Sequence, residues 1–378
     1  EAKIGALTVI YGLGFSKDLS GPDATEDLKV FASTFLIDSN PRIARVASLA
    51  QFKQLAFERL KVGQSSSVEV VCETMMNLIR KFPDDPFVIA TIQQVLNYYI
   101  EKEIDDAVLI VGHLDEQTRD LNTKSIRKML NLLQGNLMIS VSGYQEAFNN
   151  RWINGVEGNG NLVRLSQQLL QDDRCNSWVI EDVDQVARWL EQQAYYEAAA
   201  AIYRSLSEVN QRLTGAEGEL FSKNPIRLGQ DGLTRLNLVN VKIDLDQVHY
   251  NQNPVDLASL TGRVVILLLW SQEDKDSIRG LLQTCENTKS WRRRGGKLLA
   301  ISVDEKLDIE LLADLSAASG VIFGNGDIQK KGANRVWEQC PTDVLPRAML
   351  IDRSGIVVDI DVPISQIQTQ ANFLISDD

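Results

Sequence analysis

Nowhere does this chain carry a Cys-x-x-Cys pair, and its four cysteines, Cys72, Cys175, Cys285 and Cys340, show no metal-ligand spacing. Four scattered thiols read as core residues. There are only two histidines, His113 and His249, which leaves little material for a His-ligated metal or a Ser-His-Asp constellation. A GxxxxGK phosphate loop is absent, and Gly12-Leu13-Gly14 lacks the remaining glycine of a dinucleotide fingerprint. No metal and no cofactor are expected. Positive charge is in deficit: 39 Lys and Arg against 51 Asp and Glu give a net charge of −12. A nucleic-acid partner is therefore not expected, because neutralising phosphates needs a basic face that the short run Arg292-Arg293-Arg294 cannot supply. That run reads as the solvated end of a helix. Long apolar runs are missing too: Ile4 to Phe15 falls short of the ~20 residues that span a bilayer. The chain opens on Glu1 rather than Met, a start consistent with removal of a leader or membrane anchor.

What is present falls into two parts over 378 residues, placed at 1–225 and 226–378. From Asp23 to Leu213 apolar residues recur at three and four, the period of amphipathic helices. Breaks are expected at Asn40-Pro41, Gly63 to Ser67, Pro83 to Pro86, Gly112, Gly135, Gly155 to Gly160 and Asp172-Asp173. Two segments share one spacing, Ile104-Ala107-Val111-Leu114 and Tyr196-Ala199-Tyr203-Leu206, and a weaker copy runs Val68-Val71-Met75-Leu78. A small residue followed by large ones lets a second helix approach closely, as in helical-hairpin repeats. Leu190 to Leu206 resembles the second half of a tetratricopeptide repeat; an irregular helical bundle is the other reading of the same spacing.

Gly215 to Gly232 changes composition and reads as a linker or domain boundary, after which Leu236 to Val241 and Val241 to Leu245 alternate as strands do. Val264 to Leu269 is a continuous apolar run, expected as a strand buried on both faces. A regular series follows: a helix from Asp274 to Trp291, a strand over Lys297–Val303, a helix over Asp308–Ser319, a short strand at Gly320–Phe323, and a helix over Ile328–Glu338. Ala348–Ile351 and Ile356–Ile360 close it as a hairpin, turned at Gly355. The fold class is thus α plus α/β, a helical N-terminal domain before a sheet with helices on both faces.

Three blocks in order carry a family resemblance. LTGRVVILLLWSQEDKDS from Leu260 to Ser277, LAISVD from Leu299 to Asp304 and VLPRAMLIDRSG from Val344 to Gly355 resemble the thioredoxin-like redoxin domain of bacterial thiol-disulfide oxidoreductases of the TlpA and ResA kind. The resemblance spans roughly 235 to 375 and implies a thioredoxin-like fold and a location in the periplasm or cell envelope. It also marks a departure. Asp274 and Ser277 stand where that family has its two cysteines, so the loop after Trp270 reads Asp274-Lys275-Asp276-Ser277. A carboxylate and a hydroxyl cannot perform dithiol exchange. Asp274 instead suits a helix N-terminus, where negative charge gains ~0.3–1 kcal/mol, with Ser277 in the first turn.

Pro346 matches the proline that lies beside the redox loop in the family and implies a backbone edge at Val344 and Leu345 able to pair with a peptide; the other reading of Pro346 is a turn before a strand. Cys285, two turns along the helix and roughly 12 Å from Ser277, and Cys340, before Pro341, are the remaining thiols of this part. Two functions follow. One is a non-catalytic, exported binding or scaffolding protein with a protein or peptide partner; the other is a thiol-disulfide oxidoreductase or peroxidase-like enzyme acting through Cys340 or Cys285.

Overall fold

A computed structural model describes residues 33–36, 38–62, 66–119, 121, 124–209, 224–243, 249–250, 253–254, 260–304, 321–325, 340–342 and 344–376. The helices expected over Asp308–Ser319 and Ile328–Glu338 lie outside the described residues. The chain divides into two compact units, one of Glu1–Trp152, Gln171–Val179 and Gly218–Leu220, the other of Ile153–Leu170, Ile180–Glu217 and Phe221–Asp378.

In the first unit the helical period becomes α1 (Pro41–Val62), α2 (Ser66–Lys81), α3 (Pro86–Lys102), α4 (Ile104–Thr118), α5 (Lys124–Val141) and α6 (Tyr144–Asn149). Asp85 starts α3 because its carboxylate accepts from the Phe87 and Val88 amides, and Pro86 at the first position needs no donor of its own. Successive helices pack together, and so do every second pair, α2 on α4 and α1 on α3 on α5. The result is two layers of helices. Between them lies a core that includes Val71, Met75 and Leu78 of α2, Ile92 and Tyr99 of α3, Ala107, Val111 and Leu114 of α4, and Leu130 and Leu133 of α5. The shared spacing of Val68–Leu78 and Ile104–Leu114 is the buried stripe of the α2–α4 layer.

Three of the expected glycine breaks do not end a helix. Gly112 lies inside α4, Gly135 inside α5, and Gly155 to Gly160 inside α7 (Arg151–Gln171). An interior glycine costs only ~1 kcal/mol, which packing easily offsets. At Gly135 the reason is contact: a Cβ there would lie 2.8 Å from Asn176 Oδ1 and 2.9 Å from Trp178 Cβ. The breaks at Pro41, Pro86 and Asp172 are real, since proline and an Asx-type cap interrupt the hydrogen-bond ladder.

The second unit begins with helices and ends with a sheet. Its named elements are α7 (from Ile153 to Leu170), α8 (Ser177–Gln192, from Ile180 onward), α9 (Tyr196–Ser207), α10 (Pro225–Leu236), β1 (His249–Tyr250), β2 (Asn253–Pro254), β3 (Val265–Trp270), α11 (Lys275–Asn287), α12 (Lys289–Arg293), β4 (Lys297–Ser302), β5 (Val321–Asn325), β6 (Arg347–Ile351), β7 (Val357–Asp359) and α13 (Ile367–Ser376). The strand order is β2-β1-β5-β4-β3-β6-β7, with β3, β4 and β5 parallel and β6 and β7 antiparallel to their neighbours. A central strand followed by a helix, flanked by a parallel strand and an antiparallel one that begins after a proline, is the thioredoxin-like arrangement. The chain is α plus α/β, with a helical N-terminal region followed along the sequence by this sheet.

Strand β3 is buried on both faces, as its unbroken apolar run requires. Ile266, Leu268 and Trp270 face α11, α12 and α13 through Leu281, Trp291, Ile367 and Ala371. Val265, Leu267 and Leu269 face a second cluster containing Leu236, Leu238, Ile243, Leu260, Cys340 and Tyr196. Hence α9 and the end of α10 help to cover the sheet.

Two expectations are corrected here. Of the stretch read as a linker or boundary, 215–223 lie outside the described residues and the rest belongs to α10, started by Asn224, whose side chain accepts from Ile226 N at 3.0 Å, with Pro225 after it. Its glycines serve contact: a Cβ at Gly232 would fall 2.4 Å from the Tyr203 ring of α9. Leu236 to Val241 is not a strand, because Leu236 ends α10 and the residues after it form a turn. Only Lys242 bridges, to Ile356, and 244–248 lie outside the described residues. The expected helix over Asp274–Trp291 is α11 and α12, parted at Thr288. The Asp352–Gly355 hairpin turn forms as expected, with Gly355 at φ +82°.

Candidate functional site

The loop after Trp270 is built from hydrogen bonds. Asp304, at the end of β4, accepts from Ser271 Oγ at 2.7 Å, Gln272 N at 2.6 Å and Ser302 Oγ at 2.7 Å. Ser271 Oγ accepts from Glu273 N at 3.1 Å. Asp274 caps α11 by accepting from Asp276 N at 2.9 Å. Ser277 is fully buried, and its Oγ accepts the Ser271 amide at 2.8 Å. One position of the absent pair is a helix cap and the other closes the loop onto its own backbone. Lys275 and Asp276 are exposed, and Asp276 pairs with Arg279 at 2.9 Å. Trp270 is buried in the sheet core, with no hydrogen-bond partner for its Nε1 among the described residues.

Across the site, the Leu345–Pro346 peptide bond is cis. A Cβ at Gly280 of α11 would sit 2.2 Å from Pro346 Cγ, so helix and proline ring are pressed together only because that position is glycine. Thr342 Oγ1 accepts from Val344 N at 3.2 Å and from Arg347 Nε at 3.1 Å, and donates to Val344 O at 3.0 Å. This turn presents Val344 at 47% exposure. The Leu345 main chain forms no hydrogen bond among the described residues.

The thiols are all free and buried. Burial pushes Cys72 up to about 11 and Cys175 to about 12. Burial also raises Cys285, against the opposing pull of Arg292. Cys340 is fully buried and stands at about 11, burial outweighing the nearby Arg347 and Arg235. Nothing brings Cys285 or Cys340 into the Asp274–Ser277 loop. Both belong to side-chain clusters on opposite faces of the sheet.

Sequence reasoning missed the strongest polar feature of this unit. Glu191 of α8 is buried and binds two arginines, Arg235 of α10 through Nε at 3.0 Å and Nη2 at 3.0 Å, and Arg347 of β6 through Nη1 at 2.7 Å. Tyr203 of α9 donates to the same carboxylate at 2.6 Å. Arg235 also donates to Pro341 O at 2.8 Å, and Arg347 lies 3.5 Å from Asp361. Tyr196 donates to Asp359 at 3.2 Å. Burial pushes the Glu191 carboxyl up, yet the charges of Arg347 and Arg235 and the two hydrogen-bond donors hold it at about 2. A readable signal existed: Val179, Val183, Ala187 and Glu191 share one buried stripe of α8, and a carboxylate on such a stripe demands a partner.

With this geometry in view, no family model matches the chain, and no curated protein matches it in sequence. Solved structures do. The thioredoxin domain of a thiol-disulfide oxidoreductase from Bacteroides vulgatus is 17% identical, covering 35% of this chain and 91% of its own at a TM-score of 0.28. A thiol:disulfide interchange protein from a Bacteroides species is 16% identical, with 36% and 86% covered at 0.28. A thioredoxin-like protein from Bacteroides caccae is 12% identical, with 71% and 93% covered at 0.33. Likenesses this distant carry no argument about what this chain binds or transforms. Its own residues must do so. Among the described residues no group of His, Cys, Asp and Glu is arranged to hold a metal ion, and no helix is long and apolar enough to cross a membrane.

Proposed function

We propose that this chain is a non-catalytic thioredoxin-like protein that binds or scaffolds a protein partner in the periplasm or cell envelope. The observation that carries the reading is Ser277, whose buried Oγ closes the loop by accepting the Ser271 amide where chemistry would need an ionised thiol. Burial and raised pKa of Cys285 and Cys340 weigh against an oxidoreductase or peroxidase working through either. The partner would pair its main chain with the Val344–Leu345–Pro346 edge. The Leu345 backbone, without a hydrogen bond among the described residues and beside an exposed apolar side chain, supports this, because strand addition draws affinity from main-chain hydrogen bonds and specificity from neighbouring side chains. The envelope location is supported by the resemblance of the three sequence blocks.

Turnover of a model disulfide tests the reading. The full chain and its Cys285→Ser and Cys340→Ser variants should all stay at the uncatalysed rate. Turnover that one of the serine variants abolishes would replace a binding protein with an enzyme.

A further inference from the structure

The outer face of the α2–α4 layer carries a groove of about 770 Å³. Its walls come from both helices: Glu69, Glu73 and Arg80 from α2, Leu109 and His113 from α4, with the buried Met76 among the lining residues. From Glu69 to Arg80 the helix rises roughly 16 Å, about three turns. Two features mark this groove. Leu109 is 60% exposed within it, a large apolar side chain left to water beside a concavity. Glu69, Glu73 and Arg80 have no ion-pair partner among the described residues, although Arg45 with Asp85 and Arg119 with Asp115 are paired in the same unit.

The unpaired charges are ordered. Glu69 lies in the first turn of α2 and Glu73 one turn further on, Arg80 stands in its last turn, and the apolar lining lies in the same groove. We propose that this groove binds a segment of a partner protein, a short amphipathic helix of about three turns that seats an apolar residue against Met76 and Leu109. Its basic residues, one turn apart, pair with Glu69 and Glu73, and an acidic residue at its far end pairs with Arg80. Complementary charge fixes the direction in which the segment lies, and apolar contact supplies the affinity. The inference rests on the reading of this chain as a protein-binding molecule and adds a second site to it, within the helical unit.

The probe is a fluorescein-labelled peptide of about three helical turns, with two lysines one turn apart at one end, leucines on one face and glutamates at the other end. A control peptide carries glutamate in place of both lysines. Fluorescence anisotropy with the full chain should show saturable binding of the first peptide and much weaker binding of the control. Exchange of Glu69 and Glu73 for lysine should weaken the first peptide at least tenfold and strengthen the control. Arg80→Glu should weaken the first peptide several-fold. These side chains are exposed, so the variants should keep the wild-type circular dichroism and a cooperative unfolding transition, its midpoint lowered slightly because reversed charges at the two ends of α2 oppose the helix dipole. Absence of saturable binding, or binding that both sets of variants leave unchanged, overturns the groove while leaving a non-catalytic binder intact. Cysteine-dependent disulfide turnover overturns the binder and leaves this titration unaffected.

Discussion

At Ser277 a single side chain decides what the loop can do. Its Oγ accepts the buried Ser271 amide, and Asp304 holds Ser271, Gln272 and Ser302 around it. A buried donor left without an acceptor costs about 1–3 kcal/mol. Ser277→Ala should therefore lower stability by that amount in urea unfolding without altering any activity, because its hydroxyl holds structure. An unchanged midpoint would mean that the amide finds another acceptor. The absence of thiols at Asp274 and Ser277 is legible in the sequence, and so is the cap at Asp274, since both follow from residue type at a helix start. The bond from Ser277 back to Ser271 is not legible, because it depends on how far the first turn of α11 bends toward the end of β3.

Elements show why glycine misleads when it is read only as a breaker. Gly112 in α4 has nothing within 4 Å of a Cβ built on it, whereas at Gly280 in α11 such a Cβ would lie 2.2 Å from the Pro346 ring. The same substitution should act in opposite directions. Gly112→Ala is expected to stabilise by about 0.5–1 kcal/mol by restricting the unfolded chain. Gly280→Ala is expected to destabilise by about 1–3 kcal/mol, because helix and proline must separate. Thermal unfolding of the pair checks both signs, and equal shifts would remove the special contact at Gly280. The central strands were legible because Val265 to Leu269 and Leu298 to Ile301 are unbroken apolar runs. Leu236 to Val241 also alternates, yet α10 ends there, because its N-terminal Asn224-Pro225 cap and its packing on Tyr203 outweigh a short period-two pattern.

On the scale of the whole second unit, the buried charges of α8, α10 and β6 tie helices that precede the sheet to the strand that follows Pro346. Burying ions is costly, and this cluster holds because Glu191 is met by two guanidinium groups and a phenol. Glu191→Gln leaves two buried arginines facing an amide and should cost about 3–5 kcal/mol. A urea midpoint close to wild type would show that water reaches the arginines.

The same cluster sets a pH dependence. Burial, with the Glu191 charge nearby, raises Asp361 against the pull of Arg347, and burial raises Asp359 against its hydrogen bonds. These two take up protons in the folded state before the unfolded chain does, so their contribution to stability grows as pH falls from neutrality. Glu191 is held at about 2, below the roughly 4.3 of an unfolded glutamate, so its contribution is complete above that value and is lost on acidification toward 2. Stability should therefore peak on the acid side of neutrality and fall below about pH 4. The net charge of −12 acts in the same direction, since protonation relieves self-repulsion. A midpoint that declines steadily from pH 7 downward would contradict the assignment of Asp359 and Asp361.

The central proposal is that the thioredoxin-like part keeps its frame without an accessible thiol. Thiol titration of the native chain with an aromatic disulfide reagent at neutral pH tests it most directly. All four cysteines are buried, so none should react at the rate of a free exposed thiol, and all four should react once the protein is unfolded in urea. A thiol that reacts quickly in the folded protein, and whose reaction Cys285→Ser or Cys340→Ser abolishes, would contradict the account and return that cysteine to consideration as a catalytic group.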